Sequence, residues 1–367
     1  MRTVNITKFF LGCTTALFFT MHGVQANNVP QFPRSETLPG TVVMVLPEDS
    51  PIGPLPPVVI PAINPQTQAK VELGKKLYFD PRLSGNNWIS CATCHNPAVG
   101  FADGLPRMLG GPASREGGRN TPTIINTAYN PIQFWDGRAA TLEEQALGPI
   151  QNPNEMNETL DNVVKKLSRI PDYVKAFKDV FGSSVTADGI AKAIAAFERT
   201  IVFANSPFDR YMMGDEHAMS ESAKRGMILF NTRAECIKCH SGPNFTDNKF
   251  HNIGVPADGP LKEDLGRYNV TKQDADKGAF KTPTLRNITD TAPYMHNGFF
   301  PTLFEVVQFY NGGGGRSENK SPDVHVLHLT GQEVNDLVEF LKALTGELVQ
   351  VRYTATPLVY PELPREF

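Results

Sequence analysis

The sequence predicts a mainly α fold divided into two homologous halves, and three observations predict it. Apolar residues recur at three- to four-residue spacing through 160–167, 173–181 and 190–203, the period of helices with one buried face. Strand-like alternation is scarce. An ordered series of short matches recurs at constant spacing along the 367-residue chain.

The repeat is specific. Thr121-Pro122-Thr123-Ile124-Ile125-Asn126 matches Thr282-Pro283-Thr284-Leu285-Arg286-Asn287, and 16 residues after each start stands a glycine, Gly137 or Gly298. Four residues further, Thr141-Leu142-Glu143-Glu144 matches Thr302-Leu303-Phe304-Glu305. Both read as capping boxes, a hydroxyl N-cap with Glu at the third helical position, so each half starts a helix at the same place. Upstream, Ala69-Lys70, Gly74 and Leu77 resemble Ala223-Lys224, Gly226 and Leu229. Thr330-Gly331-Gln332-Glu333 opens a further capped helix to about Leu344.

Taken in order, residues 1–26 read as an export signal: Arg2 and Lys8, an apolar run from Phe9 to Met21, then Val24-Gln25-Ala26 as cleavage site. The run falls short of the roughly 20 residues a membrane span requires, and a lipoprotein reading of Leu11-Gly12-Cys13 would cut inside it. Residues 27–65 are Pro-rich (Pro54, Pro56, Pro57, Pro61) and read as an extended arm wrapping the first domain or a loose leader. The first domain is expected over 66–210 and the second over 211–367, the boundary falling near 205–220 and a tail, 348–367, packing back on the first. Net charge is −3, and removing Arg2 and Lys8 leaves −5, which is no nucleic-acid footprint.

Each half carries C-x-x-C-H, as Cys91-Ala92-Thr93-Cys94-His95 and Cys236-Ile237-Lys238-Cys239-His240. This is the attachment signature of c-type haem. Two thiols at that spacing form thioethers to both vinyl groups of one haem, and the adjacent histidine reaches the iron. A redox pair or half a zinc site would explain one copy; two copies, each with His after the second Cys, make that reading remote. Four of the five cysteines are thereby used, and the fifth, Cys13, lies in the leader. The expected fold is two homologous c-type cytochrome domains, each a few helices around one covalent haem. Covalent haem attachment also places the chain in the bacterial periplasm.

The repeat exposes a chemical asymmetry. Counting 28 residues from Thr121 reaches Pro149, and from Thr282 reaches Tyr310. Proline has no ligating side chain, so the first iron is expected open; a phenol can close the second. Met295 and His296 compete with Tyr310, because thioether and imidazole are the commoner ligands. Phe134 and Trp135 occupy those two places in the first half.

The run from Gln133-Phe134-Trp135-Asp136-Gly137-Arg138 through Gln145, Pro149 and Asn152-Pro153 to Glu155-Met156 resembles bacterial di-haem cytochrome c peroxidase. So do Ser90-Cys91, His95-Asn96-Pro97 and Ala292-Pro293-Tyr294-Met295-His296-Asn297-Gly298. The resemblance covers roughly residues 71–344. Its superfamily includes MauG, which uses peroxide to oxidise tryptophans of a partner protein, and a related methanobactin-operon enzyme that oxidises a tryptophan in a copper-binding partner. The resemblance implies that His95 is the proximal ligand of the peroxide-reactive haem and His240 that of the second. Glu155 and Gln145 resemble its distal-pocket residues, Trp135 the tryptophan between the haems, and Asn120, Thr291 and Pro293 an inter-haem calcium site. A carboxyl such as Glu155 can move a proton between peroxide oxygens.

Two departures point to the MauG-like branch. Ordinary relatives carry a histidine in the loop after the first haem motif, but 96–120 contains none, and Pro112 falls at the aligned place. Tyr310 also stands where a methionine is usual, and an anionic oxygen ligand stabilises ferric and higher states. The function expected is a periplasmic enzyme that uses hydrogen peroxide to form a high-valent di-haem state, which oxidises tryptophan or tyrosine of a partner protein. The alternatives are a cytochrome c peroxidase fed by a small cytochrome c or cupredoxin, and a non-enzymatic di-haem electron carrier. No nucleic acid and no stable membrane insertion are expected, and the resemblance allows a homodimer.

Overall fold

The computed structural model describes residues 52–108, 111, 118–257 and 264–349. The export signal and most of the tail lie outside them, as does Pro112. The chain runs through α1 (Gln68–Tyr78), α2 (Cys91–Cys94), α3 (Leu142–Gln151), α4 (Leu160–Leu167), α5 (Pro171–Phe181) and α6 (Ala187–Glu198). The second half adds α7 (Pro207–Met212), α8 (Glu221–Asn231), α9 (Tyr268–Thr271), α10 (Leu303–Asn311) and α11 (Gly331–Lys342). Among the described residues the strands are two-residue pieces: β1 (Phe203–Ala204) pairs antiparallel with β4 (Glu347–Leu348), and β2 (Phe250–His251) with β3 (Phe280–Lys281). The fold is mainly α. No helix among the described residues is long and apolar enough to cross a membrane.

Each half is built on one close helix pair. α1 packs on α6, and α8 on α11. A Cβ at Gly74 would lie 1.9 Å from the Ala193 carbonyl oxygen, and one at Gly226 would lie 1.9 Å from that of Asp336. Real contacts are never that short, so only glycine lets the backbones meet. The matched glycines of the two sequence repeats therefore do the same job. Leu73, Leu77, Phe177 and Ile194 fill one cluster of the first half, while Phe230, Phe245, Leu337 and Phe340 fill that of the second.

Three sequence expectations need correction. The helix expected over 190–203 ends at Glu198, and Phe203 belongs to β1. Tertiary pairing overrides the apolar periodicity there: the Asn126 amide donates to the Phe203 carbonyl (3.1 Å) and accepts from its N–H (2.9 Å). The expected capping box at Thr141 is only half made. Thr141 accepts from Glu144 N–H, but the Glu144 carboxylate accepts from Ala140 rather than from the cap itself. The boxes at Thr302 and Thr330 are complete. The Pro-rich arm, finally, reaches both halves. Val58 is buried against Val71 and Phe197, whereas Ile52 is buried with Phe208 and Phe340. Of the tail, Leu348 pairs with Phe203, and Val349 N–H donates to the Val202 carbonyl.

Candidate haem and peroxide site

Both C-x-x-C-H motifs fold as single tight turns closed by the backbone N–H of their histidine. Cys91–Cys94 is α2, capped by Ser90 and Thr93, and His95 N–H closes it onto the Cys91 carbonyl (2.8 Å). Cys236–Lys238 is a short 3-10 turn closed by His240 N–H on Cys236 (2.9 Å). His95 Nδ1 faces the Phe101 carbonyl at 3.2 Å, and His240 Nδ1 faces that of Phe245 at 3.0 Å. A ring held through one nitrogen presents the other to a metal, the usual support of a ligating histidine. Phe101 and Phe245 both take left-handed backbone (φ 54° and 52°), which aims their carbonyls at the rings. Burial lowers the pKa of both imidazoles, His240 to about 4, keeping them neutral as ligands must be.

The second motif opens into a cavity of about 540 Å³, within the range of cofactor pockets. Its wall includes Cys236, Cys239, His240, Tyr310, Met295 and His296. All three residues named as candidate sixth ligands are thus present. Tyr310 feels both thiols: burial first, then Cys236 and Cys239, push its phenol upward. His296 is otherwise engaged. Its ring stacks flat on Phe280 (3.7 Å between centroids), and its carbonyl accepts from Asn120 N–H at 2.7 Å. Burial lowers it to about 4 despite the nearby Asp264 carboxylate.

Pro149 and Tyr310 occupy the eighth positions of α3 and α10, two helices that begin on equivalent N-caps, Thr141 and Thr302. Beyond α3, Asn152 Nδ2 donates to Glu155 Oε1 at 2.7 Å. Burial raises the Glu155 pKa, offset in part by Asn152 and Arg138. Glu155 lies near the first motif, since its charge adds to burial in raising both Cys91 and Cys94. Gln145 is half-buried on α3, one turn before Pro149.

Trp135 lies where the halves meet. It lines the second cavity, its indole N–H donates to the Asn120 carbonyl at 2.9 Å, and its own carbonyl accepts from Lys281 N–H at 2.8 Å. Asn120 Nδ2 points at the Leu105 carbonyl (2.9 Å) and the Pro293 carbonyl (3.3 Å). Asn120 and Pro293 are therefore brought together. The Thr291 hydroxyl turns away, to Ile288.

Sequence reasoning missed Lys281. It is 8% exposed and lines the second cavity, its Nζ donates to the Thr282 carbonyl (3.3 Å), and burial lowers it to about 8. A buried ammonium in that wall fits an anionic cofactor group such as a haem carboxylate. The repeat could have exposed it, because Lys281 and Asn120 each immediately precede Thr-Pro-Thr. The half-buried sulfur pairs, supported imidazoles, cavity and buried cation together fit a haem at the second motif. The turn closure and the carbonyl support of the imidazole recur at the first.

Comparison with known proteins agrees with this chemistry. The sequence profile of the family described as di-haem cytochrome c peroxidase matches residues 68–217. Cytochrome-c peroxidase IdrP1 of Pseudomonas sp. (strain SCT) is 41% identical over 349 residues, spanning 86% of this chain and 90% of that protein. Methylamine utilization protein MauG of Methylorubrum extorquens is also 41% identical, over 307 residues, covering 83% of this chain and 84% of that one. Among solved structures, a MauG-like protein associated with microbial copper homeostasis superposes with a TM-score of 0.73 at 32% identity. That match covers 82% of this chain and 95% of the other.

Proposed function

The chain belongs to the di-haem cytochrome c peroxidase family, a haem oxidoreductase acting on peroxide, and from that premise we propose that it is an exported, MauG-like enzyme that oxidises tryptophan or tyrosine of a partner protein. The observation that carries this reading is the shared helical position of Pro149 and Tyr310. One side chain cannot ligate; the other is a half-buried phenol lining the same cavity as the second pair of haem cysteines.

Cys91, Cys94 and His95 would hold one haem, and Cys236, Cys239 and His240 the other; the bound haems supply peroxide activation and storage of oxidising equivalents. The remaining work falls to the protein. Pro149 keeps the first site free of a competing ligand. Glu155 holds a carboxyl where a proton must pass from one peroxide oxygen to the other. Trp135, between the halves, offers an oxidisable indole whose N–H is fixed on Asn120. Tyr310 would hold the second haem through its phenol oxygen, a ligand that favours ferric and higher iron.

Electron paramagnetic resonance of the oxidised holoprotein tests the Tyr310 assignment. A tyrosinate signature lost in Tyr310→Phe is expected; thioether or bis-imidazole ligation in the unmutated protein would remove it. A second reading is supported by the relatives named cytochrome c peroxidase at the same identity as MauG. In that reading a small cytochrome c or cupredoxin supplies electrons, and fast steady-state turnover with such a donor distinguishes it.

The same reading assigns calcium to Asn120, Thr291 and Pro293. The Leu105 and Pro293 carbonyls converge on the Asn120 amide, and with that amide turned oxygen-inward the set suits a hard cation. One bound Ca2+ per chain by metal analysis, lost in Asn120→Ala, is the expected result. Residues 1–26 fit a cleaved signal for the periplasm, checked by the N-terminus of the mature protein.

A further inference from the structure

The chain has two tryptophans, and the second, Trp88, is 83% exposed, more than any other large apolar side chain among the described residues. An indole left in water gives up the burial that aromatic side chains normally contribute. Loose chain does not account for it. Ser84 Oγ accepts from Ile89 N–H (3.1 Å), Asn86 Oδ1 accepts from Trp88 N–H (3.0 Å), and Lys166 Nζ donates to the Ser84 carbonyl (2.7 Å) and Asn87 Oδ1 (3.1 Å). Gly85 N–H donates to the Met156 carbonyl (2.8 Å), and a Cβ at Gly85 would sit 2.3 Å from the Asn157 carbonyl oxygen. Asn87 holds left-handed backbone, φ 58°. The loop is pinned to the segment that carries Glu155, and it holds the indole outward.

Trp88 is also tied to the first haem motif. It stands three positions before Cys91, so their Cα atoms lie within about 11 Å of each other. An oxidisable side chain fixed in solvent beside the haem-bearing turn gives electrons a way in that avoids the buried pocket. We propose that Trp88 is a surface electron relay for the first haem, receiving electrons one at a time from a protein reductant too large to enter. This rests on the peroxide reading above.

The relay balances as follows. The indole gives one electron inward and its N–H proton to water; the donor returns an electron and water returns a proton. Two such cycles, with two protons, reduce one peroxide to two waters. With no donor present, one peroxide oxidises the indole by two electrons, leaving one oxygen on the ring and releasing the other as water.

The test treats the holoprotein with hydrogen peroxide alone and maps its peptides by mass spectrometry. It then measures oxidation of reduced cytochrome c across donor concentrations up to saturation in Trp88→Phe and Trp88→Tyr. One added oxygen on Trp88 is expected, together with a loss of about tenfold in kcat in the Phe variant. Haem content and thermal midpoint should stay unchanged, and the phenol of the Tyr variant should restore part of the rate. Peroxide consumption with Trp88 unmodified would overturn the relay alone. A rise in KM with kcat intact in both variants would reduce Trp88 to a docking contact and overturn it too. Wild-type protein that consumes no peroxide would instead remove the peroxide reading, and the relay with it.

Discussion

Glu155→Gln is expected to slow peroxide cleavage by about 10²- to 10⁴-fold, the usual contribution of a positioned acid–base group, with both haems still attached. Asn152 holds Glu155 twice. The Glu155 backbone N–H donates to the Asn152 carbonyl (3.0 Å), and the Asn152 amide donates to Oε1 (2.7 Å). A glutamine fits the same space but cannot accept a proton from one peroxide oxygen and return it to the other. The pH dependence carries the same signature. Burial raises the Glu155 pKa, and the carboxylate is the form that accepts the first proton. The rate should therefore fall as pH drops through a value above the usual carboxylate range, and the glutamine variant should lack that limb. Stopped-flow mixing with peroxide across pH measures both. An unchanged rate, or an acid limb that survives in Glu155→Gln, would remove Glu155 from the reaction.

The repeat was legible because it is written in residues with strong local rules. N-cap hydroxyls, Gly74 and Gly226 at helix contacts, and the C-x-x-C-H turns each carry their geometry in a few adjacent positions. Their register alone aligned Pro149 with Tyr310. What sequence could not supply depends on distant partners. The helix end at Glu198 is set by Asn126, which brackets Phe203 from 77 residues away. The Pro-rich arm shows no periodicity, so nothing local announces that Ile52 enters the second half's core while Val58 enters the first's. Lys281 reads as an ordinary surface cation until β3 turns it into the second cavity. Tyr310, Met295 and His296 all reach that cavity too, so the choice among them rests on how each is held: His296 is stacked on Phe280, while Tyr310 lies beside both cysteines.

Arg286→Ile is expected to destabilise the protein by about 3–5 kcal/mol, the cost of leaving a buried charge without its partner. The first repeat places Ile125 at the equivalent position, fully buried, so the substitution installs a residue the fold already accommodates once. Context makes the difference. Arg286 is 1% exposed and binds both oxygens of Asp209, each at 2.9 Å. It also donates to the Pro243 carbonyl (2.7 Å), just beyond His240, and to the Gly53 carbonyl (2.9 Å) of the Pro-rich arm. One guanidinium thus ties α7, the turn after the second haem motif and the arm to a single point. Among the described residues, isoleucine would leave the Asp209 carboxylate in the core with only Ser206 to answer it. Asp209→Leu combined with Arg286→Ile should recover part of the loss, because the pair is then removed together rather than halved. Denaturant melts of the single and double variants give the coupling energy. If the single variant melts with the wild type, the ion pair is not what holds the second haem turn, and the packing of Phe245 on Phe208 and Phe340 must hold it instead.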